Sequence, residues 1–139
     1  MVLLRGIKKL RWILVPNTVK DDTDILNLPP DPIGDLPTQS MKLSVWNIGS
    51  DKRRLEETIK ELASRRKPQH YEYATFSSDI LDDLGIIYEK KIDIQAKNLG
   101  QYHYNINIPT SEKLLEFAKS LILNAETARL TKLEITKIP

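Results

Sequence analysis

The sequence predicts an α+β fold: a single compact domain with a mainly antiparallel sheet and two main helices packed on one face. Two segments, about 51–66 and 111–129, carry apolar residues at helical spacing. Shorter runs around them alternate apolar and polar residues, the period of a half-buried strand. One pair of such runs, within 86–108, brackets a short turn signal and so reads as an antiparallel hairpin. With 139 residues, 40% of them hydrophobic, the chain suffices for one core without covalent staples. It divides near residue 40 into an N-terminal arm, 1–40, docked on an α+β domain, 41–139.

The arm begins ambiguously. Leu3, Ile7, Leu10 and Leu14 recur at helical spacing with Arg5, Lys8 and Lys9 opposite, yet Leu10 to Val15 is also a compact, partly β-branched run. Residues 1–15 therefore read as helix or as strand. Residues 1–20 hold five basic side chains and no acid, and residues 21–40 five aspartates and no base. Pro29, Pro30, Pro32 and Pro37 make 21–40 extended, while Ile25, Leu26, Leu28, Ile33 and Leu36 argue that it drapes over the domain.

Lys42 to Ile48 reads as a strand covered at least partly on both faces. Gly49 and Ser50 end it, and Ser50 or Asp51 caps a helix to Arg66 that buries Leu55, Ile59, Leu62 and Ala63. Tyr71 to Phe76 is a third strand. Ser77 or Ser78 then caps a short helical turn, Asp79 to Leu84, closed by Gly85. Pro109, Thr110 and Ser111 open the longest helix, to about Arg129, whose buried stripe includes Leu114, Phe117, Ala118, Leu121 and Ile122. Leu133 to Ile138 alternates as a last strand.

The hairpin carries the candidate site. Asn98 and Gly100 suit a three-residue loop with a G1 bulge, so Lys97 pairs with Gln101. Gln95 then faces His103, Asp93 faces Asn105, and Ile92 faces Ile106. One face collects Ile92, Ile94, Tyr104, Ile106 and Ile108; the other collects Lys91, Asp93, Gln95, His103, Asn105 and Asn107. Asp93, Gln95, His103, Asn105 and Asn107 are the expected partner-binding residues. His103 beside Asp93 is also the one candidate acid/base pair.

Composition removes many chemistries. Without cysteine there is no disulfide, thiolate nucleophile or Cys-ligated metal, and His70 and His103 are the only histidines. No metal site is expected: from Asp21, the sixth and twelfth positions of a calcium loop hold Leu26 and Pro32, neither the Gly nor the Glu required. Asp79, Asp82 and Asp83 read as solvated acids at a helix start. The isolated glycines form no phosphate loop, and no cofactor is expected. Lys52, Arg53, Arg54, Arg65, Arg66 and Lys67 bracket the first helix as a possible phosphate-binding set, but Glu56, Glu57 and Glu61 interleave them at ion-pair spacing.

No stretch has the ~20 apolar residues that span a bilayer. Arg5, Lys8, Lys9 and Arg11 break up the run a secretory leader needs. The expectation is a small, soluble, cytoplasmic, non-enzymatic module that binds a protein. The alternatives are a nucleic-acid-binding accessory protein using the basic helix 51–67 and an enzyme using His103 and Asp93.

Overall fold

The computed structural model describes residues 1–7, 42–65 and 70–139. The charge blocks along 8–41, the docking of that part of the arm, and Arg66 and Lys67 lie outside these residues. Among the described residues six strands form one sheet: β1 (Val2–Ile7), β2 (Lys42–Asn47), β3 (His70–Ser77), β4 (Ile87–Lys90), β5 (His103–Asn107) and β6 (Glu126–Thr131). Their order is β4-β5-β2-β1-β3-β6, with every neighbouring pair antiparallel. The helices are α1 (Lys52–Ser64), α2 (Asp79–Leu84), α3 (Ser111–Asn124) and α4 (Lys132–Thr136), with a 3-10 segment at Ile94–Tyr102.

The ambiguous N-terminal run resolves as a strand for Val2–Ile7, placed between β2 and β3 in the interior of the sheet. Leu3 and Leu4 show why: both are 0% exposed, and consecutive residues of a strand point to opposite faces. Leu3 joins a core with Leu43, Val45, Phe76 and Ile106 that α3 covers with Phe117, Ala118 and Leu121, and α2 with Leu81. Leu4 joins a second core with Trp46, Ile48 and Tyr71, covered by Ile59 and Ala63 of α1 and by Ala96 of the 3-10 segment. Ile135 of α4 and Ile138 pack at its margin.

The α+β class and the antiparallel sheet stand, but the two main helices lie on opposite faces of the sheet and not on one. Adjacent buried pairs, Leu3 with Leu4 and Val45 with Trp46, require cover on both sides, and one helix cannot supply it.

Local signals hold at most element ends. Asp51 Oδ1 accepts from Arg53 N at 2.9 Å and caps α1. Ser77 Oγ accepts from Asp79 N at 3.2 Å, and Gly85 closes α2 with φ 69°. Thr110 Oγ1 accepts from Lys113 N at 3.1 Å and starts α3. Beyond Asn124 the expectation fails. Residues expected to continue the helix to Arg129 instead form β6, because pairing with β3 from Glu126 to Thr131 outweighs their modest helix propensity. The expected last strand is the helix α4, started by a reciprocal capping box between Thr131 and Glu134.

The hairpin register also differs. Asn105 faces Glu89 rather than Asp93, and Ile106 faces Tyr88 rather than Ile92, a shift of four residues. Asp93 is the cause: its Oδ1 accepts from Gln95 N at 2.9 Å and starts the 3-10 segment where ladder pairing was expected. An even shift preserves the alternation on β5, so Ile106 still faces the core at 0% exposure. Ile92 and Ile94, expected in the core, are 68% and 89% exposed.

Candidate functional site

The expected site residues separate. His103 is buried at 7% exposure, its ring edge-on to Trp46 at 4.9 Å. Its Nδ1 lies 2.6 Å from Lys91 O; a carbonyl only accepts, so Nδ1 carries the proton and donates it. Asp93 faces elsewhere, with Oδ1 on the Gln95 amide and Oδ2 accepting from Arg65 Nη2 at 3.2 Å. No hydrogen bond or ion pair among the described residues joins Asp93 to His103, and the arrangement presents no proton relay between them. Gln95 is exposed in the 3-10 segment. Asn105 and Asn107 do share a half-exposed sheet face, across from Ser44 and Lys42 of β2.

Within the described part of the basic set, every side chain has an intramolecular partner. Lys52 lies 3.9 Å from Glu56, and Arg53 2.9 Å from Glu57. Arg54 stacks its guanidinium 3.9 Å above the Tyr102 ring. Arg65 reaches both Glu61 at 3.5 Å and Asp93 at 3.2 Å, and lies 5.7 Å over Trp46. Two of these arginines thus grip the two ends of the 3-10 segment.

Arg54→Gln is expected to destabilise the fold by about 0.5–1 kcal/mol, the worth of a cation–π contact at an exposed site. Arg53→Gln, removing only a surface pair, should change stability by less than about 0.5 kcal/mol. Urea unfolding measures both, and equal effects would sink the clamp.

A polar cluster that sequence reasoning missed sits where β3 meets β6. Glu72 is 5% exposed, with Oε1 3.6 Å from Arg129 Nε and 3.9 Å from His70 Nε2. Arg129 Nη2 donates to His70 Nε2 at 2.9 Å, since a guanidinium cannot accept. Glu72 Oε2 has no hydrogen-bond partner among the described residues. A strand begun one residue earlier, at His70, would have put His70 and Glu72 on one face by their i,i+2 spacing; Arg129 was beyond reach because its segment read as helix.

The two edges of the sheet differ in kind. β4 is four residues long and ends in Lys90, followed by Lys91, the lysine-marked short strand that discourages further pairing. β6 is six residues long, contains neither lysine nor proline, and among the described residues pairs only with β3. Among the described residues its outer flank is thus left with backbone N–H and C=O groups in the spacing of an antiparallel ladder.

Beside this edge lies a cleft of about 390 Å³. It is lined by the apolar side chains of Val2, Leu55, Tyr73 and Ala128 and by polar groups that include Lys52 and Glu126. Tyr73 and Ala128 are opposed across β3 and β6, as are Thr75 and Glu126. Tyr73 stacks on Tyr71 at 6.3 Å.

Burial pushes the Tyr73 phenol above its ordinary value near 10. A raised folded-state pKa favours the neutral phenol in the native protein. Its stabilising contribution is full below the unfolded value and is lost as pH rises through the raised one. Wild type should therefore lose stability in that alkaline window relative to Tyr73→Phe, measured by urea unfolding as a function of pH. Parallel profiles would contradict this assignment.

Among the described residues no helix is long and apolar enough to cross a membrane, and no three His, Asp or Glu side chains converge as a metal centre. Comparisons with protein-family models, curated proteins and solved structures find no match.

Proposed function

We propose that the protein is a small, soluble, non-enzymatic interaction module of the cytoplasm that captures an extended segment of a partner protein on the open edge of β6. The observation that carries this reading is the contrast between the edges: β4 is short and lysine-marked, whereas β6 is longer, free of lysine and proline, and flanked by a cleft. Strand addition draws affinity from backbone hydrogen bonds and selectivity from pockets that take alternate side chains. The nucleic-acid alternative is weakened by the internal engagement of Lys52, Arg53, Arg54 and Arg65.

Affinity recovery from the native host, with wild type beside the double variant Thr127→Lys/Ala128→Lys, tests the reading. A protein held in stoichiometric amount by wild type and lost by the variant is expected, with both chains melting at the same temperature. Equal retention by the variant would sink the edge, and release of the bound material by nuclease would favour the alternative.

A further inference from the structure

Resting on the strand-addition reading, we infer that the partner segment pairs antiparallel with β6, with a large apolar side chain over Ala128 and, two positions away on the same side, a basic side chain against Glu126. The side chains of Glu126, Ala128 and Leu130 share the face of β6 that adjoins α1 and α4, as Leu130 belongs to the core on that side and the other two line the cleft. Ala128 presents only a methyl group to its surroundings. Among the described residues, Val2, Leu55 and Tyr73 give the cleft beside Ala128 an apolar side, Asp51 and Lys52 add polar groups to its lining, and no described side chain fills it. At about 390 Å³ the cleft falls in the range of about 300–1,000 Å³ typical of sites that bury a ligand group.

Residues opposed across antiparallel strands bring their side chains into contact, so the partner residue facing Ala128 is the one that reaches this space. Glu126 is exposed and has no ion pair among the described residues. A basic residue facing it gains an opposite-charge cross-strand pair, whereas an acidic one meets repulsion. Antiparallel addition continues the pattern of every pair in this sheet and is the stronger ladder per residue.

The probe is a fluorescein-labelled peptide, Thr-Val-Thr-Phe-Thr-Arg-Thr, which sets Arg against Glu126, Phe against Ala128 and Val against Leu130. Anisotropy titration into the full chain should show saturable binding. Replacing the probe's Phe by Ala should weaken it about tenfold or more, the loss expected for a large apolar side chain left unburied. Ala128→Phe, which fills the space from the protein side, should weaken the Phe probe alike. Glu126→Lys should weaken the Arg probe about two- to fivefold and reverse the preference toward a probe carrying Glu in its place.

Equal binding of all the probes, released equally by Thr127→Lys/Ala128→Lys, would leave the edge reading standing and overturn the side-chain pattern. A chain that sediments as a dimer, excludes every probe and dissociates in the double variant would place a second copy on the edge and overturn the inference. Failure of every probe to bind a monomeric chain would overturn it as well.

Discussion

Phe117→Ala is expected to destabilise the protein by about 3–5 kcal/mol, the usual loss when a buried phenylalanine is truncated. Phe117 is 1% exposed on α3, its ring edge-on to Phe76 of β3 at 5.7 Å. Phe76 in turn packs with Leu3, Val45 and Ala74, so the missing ring leaves a cavity bounded by sheet residues that cannot collapse into it. Denaturant unfolding measures the loss, and a change below about 1 kcal/mol would contradict this packing.

A companion variant uses the other face. Ile59 of α1 is equally buried at 1% and belongs to the core containing Leu4 and Trp46. Ile59→Ala should cost about 2–5 kcal/mol. With the sheet between the two sites and no shared partner, the double variant should equal the sum of the singles to within about 0.5 kcal/mol. Marked non-additivity would mean that the two helices share one core.

Gly100→Ala is expected to destabilise by about 3 kcal/mol, the upper end for forcing atoms into filled space. A Cβ at Gly100 would overlap the Asp93 carbonyl oxygen. That obstacle is backbone and cannot rotate aside; moreover, Asp93 N donates to Gly100 O at 3.2 Å and Arg65 holds the Asp93 side chain. Where the native geometry tolerates it, the same substitution stabilises by about 0.4–1 kcal/mol through the unfolded chain, so the sign of the change is itself decisive. Unfolding midpoints give the magnitude, and faster amide exchange across 93–102 should localise it. A neutral or stabilising outcome would refute the close approach.

Local chemistry in the sequence was sufficient for several features of this protein. Asp51 caps α1 because a short carboxylate before a helix satisfies an orphan amide wherever it occurs. Gly85 ends α2 because it enters the left-handed region without a Cβ penalty. The alternation of Tyr104 and Ile106 against His103, Asn105 and Asn107 follows from the strand period alone and survived a change of partner residues. The capping box that starts α4 was also legible in Thr131-Lys-Leu-Glu134. Read from that signal, residues 126–131 precede a helix and do not end one.

Tertiary structure decided what depends on distant partners. The segment 126–131 carries no strong strand signal of its own; β3 supplies the ladder that makes it β6. The candidate edge was hidden by the same misassignment, since an open edge exists only once the order of strands is known. Glu72 and Arg129, far apart in sequence, are brought together by that ladder as Glu72↔Arg129. Spacing rules reach only a few residues along one element, whereas sheet order, the division of α1 and α3 between two faces, and the approach of Gly100 to Asp93 are set by which surfaces can be buried together.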